Sequence, residues 1–250
     1  MYGRGYGSGF GFGPAFTPPL IVNLIIANAV VFVADLALGG ALNQLGSVSP
    51  REVWLHGFLW QPFTYMWLHG NFLHLAFNML TLWMFGSTLV MAWGPQRFLR
   101  FYLLCGVGAG LILATLPFLL YPLGFRAGVF YSTLGASGAI YGVLLAYSLT
   151  WPDRIIALIF PPVAFRAIWM IPIFFAMNLM SGGNVSHLGH LGGVVVGWLY
   201  MRRQGAAGVQ QLSWAHLKHR VQRWRMRRRL KAIQYEEWEE RRRNQDRRFH

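Results

Sequence analysis

The sequence is poor in the residues that soluble and secreted proteins depend on. Only 12% of its 250 residues are charged, against roughly 25% in a typical soluble domain. Its single cysteine, Cys105, excludes a disulfide within the chain and disfavours a cysteine-based metal site. Cys105 lies in an apolar run, where we expect it to pack as a small hydrophobic residue. A soluble domain and a disulfide-stabilised domain are therefore both disfavoured.

Acidic residues are also scarce, and the basic ones are unevenly placed. Eight Asp and Glu stand against 22 Lys and Arg, which gives a formal net charge of +14. Seven of the basic residues precede residue 201 and 15 follow it. A nucleic-acid-binding tail is one explanation, but Lys and Arg also accumulate on the cytoplasmic side of membrane proteins. With hydrophobic residues at 55% of the chain, we favour a membrane protein and expect no nucleic-acid partner.

Three regions follow from composition. Residues 1–19 alternate glycine with aromatic residues, and we expect this low-complexity segment to be disordered. No cleavable signal peptide is apparent, so the first apolar run is expected to remain as an anchor. Residues 20–202 are the predicted membrane domain, and residues 203–250 are the predicted basic cytoplasmic tail.

Six apolar segments organise the membrane domain. Residues 152–166 are predicted to connect the fourth and fifth segments. Some segments are shorter than the roughly 20 residues of a simple span, and prolines interrupt the fifth. The sequence nevertheless predicts an all-α membrane protein with a bundle of six transmembrane helices. The predicted segments are Leu20–Leu38, Phe72–Trp93, Phe98–Leu120, Gly135–Trp151, Ala167–Leu179 and Val185–Tyr200.

The basic tail contains a helical pattern of its own. Trp214, Leu217, Val221 and Trp224 recur at helical spacing. The pattern is typical of a basic amphipathic helix on anionic lipid. A helix that is simply solvated fits the pattern equally well.

The distribution of arginines predicts an orientation. With the tail in the cytoplasm, six spans return the N-terminus to the same side, and the loops with Arg97, Arg154 and Arg166 also face inwards. Spans two, four and six then run from the outside inwards. Polar residues near their starts share one depth near the outer surface. The lack of organelle targeting signals favours a bacterial inner membrane.

Those three spans begin with polar side chains, which are costly inside a bilayer and usually functional. Ser137 follows Gly135 at the start of span four, and His190 lies in the first turns of span six. A serine hydroxyl needs a base to take its proton, and His190 is the best-placed base. His74 and Asn78 share a face of span two, and both can donate hydrogen bonds to an oxyanion, although they could equally hold neighbouring helices together.

Small residues support an approach of spans four and six, because small side chains let membrane helices pack closely. Tyr141 lies one turn beyond Ser137 on the same face, where it could stack on the His190 ring or be an ordinary buried tyrosine. Asp35 ends span one with no indicated contact, so we predict a Ser-His dyad without a third acid. The small residues are Gly138, Gly142 and Ala146 in span four and Gly189, Gly193 and Gly197 in span six.

Other chemistries fit less well. His69, His74, His187 and His190 could in principle bind zinc, but no membrane carboxylate joins them and the chain has no H-E-x-x-H motif. We therefore predict no metal and no cofactor, and we expect His187 in a solvent-facing loop. The run around Ser137 lacks the last glycine of the G-x-S-x-G elbow of soluble hydrolases, and no strand pattern precedes it.

Three motifs follow one another along the chain, at residues 69–78 (HGNFLHLAFN), 135–138 (GASG) and 190–197 (HLGGVVVG). Together they resemble the rhomboid family of intramembrane serine proteases, over about residues 20–202. The resemblance implies a six-helix fold with Ser137 as nucleophile and His190 as base. It also implies that His74, Asn78 and the Ser137 N–H are oxyanion donors and that Tyr141 supports His190. Trp60-Gln61 stands where many members carry Trp-Arg, and Gly189 where alanine is common.

The activity implied by the resemblance is cleavage of transmembrane segments near their outer end, through an acyl-enzyme. Substrates would mostly be single-pass membrane proteins. Ser137 and His190 are both present, which disfavours an inactive relative. A scaffold that binds unstable transmembrane helices without cutting them remains an alternative. A transporter or channel lined by histidines is a weaker one, because intramembrane carboxylates and an inverted repeat are lacking.

Overall fold

The computed structural model describes residues 13–14, 16–124, 127–158, 162–180 and 187–204, together with Met226. Most of the glycine-aromatic segment and the predicted tail helix lie outside the described residues. The chain divides into two units, residues 1–204 and 205–250, and every element described below belongs to the first.

The described part of the chain is mostly helical. Within the described residues, three helical segments are long and apolar enough to cross a membrane, namely Pro19–Ala37, Phe72–Trp93 and Pro95–Leu123. Two shorter apolar stretches follow at Ser137–Thr150 and Ala167–Leu179. The α-helices are α1 (Pro19–Ala37), α2 (Ala41–Gly46), α3 (Pro50–Leu55), α4 (Gln61–Thr64), α5 (Phe72–Thr81), α6 (Ser87–Trp93), α7 (Pro95–Leu120), α8 (Ser137–Thr150), α9 (Met170–Met180) and α10 (His187–Arg203).

The first three predicted segments agree with α1, α5–α6 and α7 to within three residues. The largest difference is the start of α7, which begins at Pro95 rather than Phe98. Proline suits the first helical position, where no N–H partner is needed, and Gly94 makes the turn before it with φ of 83°. Between α5 and α6 the helix continues through a π-helical turn at Leu82–Gly86.

The segment between α1 and α5 is built of short helices fixed by polar side chains. Gln61 is buried; its carbonyl oxygen accepts the Ser49 N–H at 3.0 Å, and its amide donates to the Leu45 carbonyl at 3.2 Å. The Trp60 indole donates to the same Leu45 carbonyl at 3.1 Å. The Trp60-Gln61 pair therefore ties α4 to the chain around the end of α2.

The connector predicted at residues 152–166 contains a small β-hairpin that the sequence pattern did not reveal. Strands β1 (Ile155–Ala157) and β2 (Ala164–Arg166) pair antiparallel, with Ile156 opposite Phe165. Both of these side chains are buried. Pro172 is one of the prolines expected to interrupt the fifth segment. It lies in the first turn of α9, where its missing N–H leaves no hydrogen bond unmade.

Helix α8 lies at the centre of the described bundle. Every residue from Gly138 to Leu149 is buried, and α7 and α10 both pack against it. Cys105 of α7 is fully buried, with its sulfur against Gly142. The prediction that Cys105 packs as a small hydrophobic residue is confirmed.

Candidate active site

Ser137 is the first residue of α8 and follows a turn that only glycine adopts easily. Gly135 has a φ of 127°, a conformation that side chains with a Cβ atom rarely reach. Its N–H donates to the Tyr65 carbonyl at 2.9 Å, which fixes the turn. Ser137 is half-buried.

The backbones of α8 and α10 touch where their glycines meet. A Cβ atom on Gly193 would collide with the carbonyl oxygen of Gly138, and one on Gly138 would lie 3.4 Å from the carbonyl oxygen of Gly189. The close approach predicted from the small residues is confirmed. It brings the turn that carries Ser137 against the turn that carries His190.

The His190 ring lies flat against Tyr141. Their ring centroids are 4.1 Å apart and the planes differ by 13°. Phe175 of α9 meets the edge of this pair, with centroids 5.5 Å from Tyr141 and 6.3 Å from His190. Asn178, also on α9, donates from Nδ2 to the Tyr141 hydroxyl. Tyr141 was predicted from the sequence, but Phe175 and Asn178 were not. The available signal was their spacing of three residues, which places them on one helix face.

His190 is buried, and its Nδ1 has no hydrogen-bond partner among the described residues. Asp35, the acid at the end of α1, instead accepts the Asn43 N–H at 2.9 Å. Within the described residues no hydrogen bond joins Ser137 to His190. Catalytic hydrogen bonds are often long without substrate and tighten when substrate binds.

His74 and Asn78 lie beside Gly135, two residues before Ser137. A Cβ atom on Gly135 would lie 2.8 Å from Nε2 of His74 and 3.8 Å from Nδ2 of Asn78. Asn71 caps α5 by accepting the His74 N–H at 2.8 Å, as N-cap residues do. Asn78 is 8% exposed, and its Nδ2 is a buried donor without a partner in the described structure.

The His69 ring packs against the His74 ring. The two rings meet edge to face, with centroids 5.1 Å apart. Burial, together with the neighbouring His74, lowers the pKa of His69 to about 3. The His69 ring is therefore neutral at physiological pH and packs against His74 without adding a charge.

The expectation that His187 lies in a solvent-facing loop is wrong. His187 is the first residue of α10 and is half-buried, with its ring centroid 6.2 Å from that of Phe175. The apolar pattern that predicted the sixth segment extends over this residue, so helix continuity decides its place. Among the residues that the structure describes, no three metal-binding side chains are grouped to hold an ion.

Comparisons with known proteins identify the family of this chain. The Rhomboid domain model matches residues 56–204. The chain is 34% identical to the mitochondrial Rhomboid protein 1 of Saccharomyces cerevisiae, over 53% of this chain and 38% of the yeast protein. It is 33% identical to the human mitochondrial presenilin-associated rhomboid-like protein, over 53% and 35%.

A bacterial relative is also similar. The Rhomboid protease GluP of Bacillus subtilis is 32% identical, over 62% of this chain and 29% of that protein. The matched residues cover at most 38% of the length of each of these three relatives. Because the family model covers more than half of the chain and includes all residues from His74 to His190, this chain belongs to the rhomboid family of membrane proteins.

Proposed function

We propose that this protein is an intramembrane serine endopeptidase. It cuts transmembrane segments of other membrane proteins, mostly single-pass ones, near their outer end. The observation that carries the proposal is the backbone contact between Gly138 and Gly193, which joins the start of α8 to the start of α10. Membership of the rhomboid family and the similarity to a Bacillus protein named as a protease support it.

The reaction is an acyl transfer carried out by Ser137 and His190. His190 takes the proton from the Ser137 hydroxyl as the oxygen attacks a peptide carbonyl. The same imidazole then gives that proton to the departing amine, which leaves an acyl-enzyme. Water, deprotonated by His190, attacks the ester. His190 then returns that proton to the Ser137 oxygen as the acyl product leaves, which restores the enzyme.

The oxyanion formed in each step needs donors that are already in place. We assign this role to the Ser137 N–H and to the side chains of His74 and Asn78. The unpartnered, buried Nδ2 of Asn78 supports the assignment. A buried donor without a partner costs stability, and a role in binding the oxyanion accounts for its presence. Gly135 leaves room for the His74 side chain, since a Cβ atom there would press on the His74 ring.

We further propose six membrane spans, formed by α1, α5–α6, α7, α8, α9 and α10. Helix α8 has 14 residues, or roughly 21 Å at 1.5 Å each, and is shorter than a hydrocarbon core of about 30 Å. Ser137 then lies below the outer surface, and residues 133–136, which are buried or half-buried, enter as non-helical chain packed against protein. Both termini face the cytoplasm, in a bacterial inner membrane.

The domain assignment accompanies this topology. Residues 20–202 form the protease domain, between the glycine-aromatic segment of residues 1–19 and the basic tail of residues 203–250. The proposed partners are transmembrane protein substrates and the lipid bilayer.

A serine-directed probe tests the chemistry directly. We expect a fluorescent fluorophosphonate to label the detergent-purified protein, and Ser137→Ala and His190→Ala to abolish the labelling while both variants remain folded. Ser148→Ala is the matched control, because Ser148 lies on the same helix and its hydroxyl donates to the Leu145 carbonyl at 2.9 Å. Labelling of the Ser137→Ala variant would show that another residue is the nucleophile and would contradict the role of Ser137. Absence of labelling in folded wild type would contradict the proposal and favour a scaffold that binds without cutting.

A further inference from the structure

We infer that Asn178 of α9 is a positioning residue for His190 and acts through the hydroxyl group of Tyr141. This inference rests on the proposed function, because His190 is the base of that reaction. In the described contacts Asn178 reaches the site through its hydrogen bond to the Tyr141 hydroxyl.

The first step is that His190 has no polar anchor in the described structure. A catalytic histidine is usually oriented by a hydrogen bond that its second ring nitrogen donates to a carboxylate or a carbonyl group. Nδ1 of His190 is buried without such a partner among the described residues. The orientation of the imidazole therefore depends on the rings packed against it, and Tyr141 covers one whole face at a centroid distance of 4.1 Å.

The second step is that α9 fixes the Tyr141 ring. Phe175 contacts the ring edge-on, at an interplanar angle of 80°, and Asn178 holds the hydroxyl at the far end of the ring. A ring held both at its edge and at its tip cannot slide along its neighbour. Stacking alone fixes the distance between two rings but leaves lateral sliding soft, because offset geometries are close in energy.

The third step is that the Asn178 amide is itself held by its own helix. Nδ2 carries two protons; one goes to the Tyr141 hydroxyl and the other to the Phe174 carbonyl at 2.8 Å. The amide therefore cannot follow the tyrosine, and the hydroxyl takes its position from the backbone of α9. Movement of α9 would release Tyr141 and, with it, the base.

The test uses the full-length protein and the rate of fluorophosphonate labelling. Asn178→Leu replaces the amide by an apolar group of the same branching. We expect labelling to slow about five- to tenfold, the equivalent of one hydrogen bond lost from the arrangement of the base. The pH midpoint of labelling, which reports the base, should change as well. Met177→Leu is the matched control. Met177 directly precedes Asn178 in α9 at an exposed position, so this variant should label like wild type.

A second variant separates positioning from folding. Tyr141→Phe keeps the ring and removes only the hydroxyl, so it should slow labelling and shift the pH midpoint as much as Asn178→Leu does. The double variant should be no slower than either single one, because both remove the same hydrogen bond. Wild-type behaviour of Tyr141→Phe, or additive effects in the double variant, would overturn the inference. Absence of labelling in folded wild type would instead contradict the proposed function.

Discussion

The amide group of Asn78 distinguishes a catalytic role from a structural one. A polar side chain that held two helices together would have its hydrogen bonds made in the resting protein. Nδ2 of Asn78 is buried without a partner among the described residues, so the folded state gains nothing from that donor. Its removal should therefore change the reaction and leave stability intact, the reverse of what a structural hydrogen bond would show.

Asn78→Leu tests this distinction with a side chain of the same branching. We expect kcat for cleavage of a transmembrane substrate to fall about 10²- to 10³-fold, the usual effect of losing one oxyanion donor. The free energy of unfolding should stay within about 1 kcal/mol or rise, because an unpaired buried donor is unfavourable. Proteolysis assays and thermal unfolding in detergent would measure the two quantities.

Asn28→Leu serves as the control for replacing a buried amide. Asn28 lies on α1 and donates within its own helix, to the Leu24 carbonyl at 2.8 Å, so kcat should not change. Loss of stability without loss of kcat in Asn78→Leu would show that Asn78 is a structural residue.

The contact between α8 and α10 is set by glycine rather than by complementary large side chains. Gly193 meets the Gly138 carbonyl, and Gly142 would place a Cβ atom 3.3 Å from the Gly193 carbonyl. Without Cβ atoms the two helices approach until their backbones touch, as small residues allow in membranes. The separation of Ser137 from His190 is therefore fixed by the packing of two helix backbones.

Adding one methyl group at this contact should separate the helices. We expect Gly193→Ala to destabilise the fold by about 1–3 kcal/mol, as overpacking does, and to abolish fluorophosphonate labelling. Gly197→Ala should have a smaller effect, since its Cβ atom would lie 3.2 Å from the nearest atom, Cα of Gly142. Val195→Ala changes an exposed position of α10 and should label normally. Equal labelling of Gly193→Ala and wild type would show that the backbone contact does not set the site.

Sequence patterns predicted the helices better than the contacts between them. Apolar length and the polar starts of segments identified α1, α5–α6 and α7 and drew attention to Ser137, because these depend on local composition. The β-hairpin of residues 155–166 escaped, since three-residue strands carry no measurable period. Asn178 was missed as well, because its spacing from Phe175 puts both residues on one helix face but does not show that this face of α9 turns towards Tyr141.

Arginine side chains over aromatic rings mark one end of the bundle. The pairs lie at or just after the C-terminal ends of α6, α8 and α10, the helices that end the proposed spans two, four and six. Interfacial tryptophan and cytoplasmic arginine are both typical of membrane proteins, and a cation over an aromatic face is attractive. The pairs are Arg97 with Trp93 at 4.9 Å, Arg154 with Trp151 at 5.3 Å and Arg202 with Trp198 at 5.2 Å.

This arrangement predicts the topology of the whole chain. Alkaline phosphatase, which is active only outside the cytoplasm, should be active when inserted after Gly124, in the turn that follows α7. It should be inactive after Asp153, in the turn that follows α8. A fluorescent protein that matures only in the cytoplasm should fluoresce at the C-terminus. Phosphatase activity at Asp153 would reverse the proposed orientation and place the arginine pairs outside.

The enclosed position of Cys105 gives the molecule an unusual property as an object of spectroscopy. Its sulfur is the chain's only thiol and is sealed behind Gly142, so thiol reagents should not reach it in the folded protein. Spin labels or fluorophores on cysteines introduced at the exposed Met177 and Leu191 would then report only from α9 and α10. The distance between these two helices could be followed with and without a transmembrane segment bound, in a protein whose interior had not been altered.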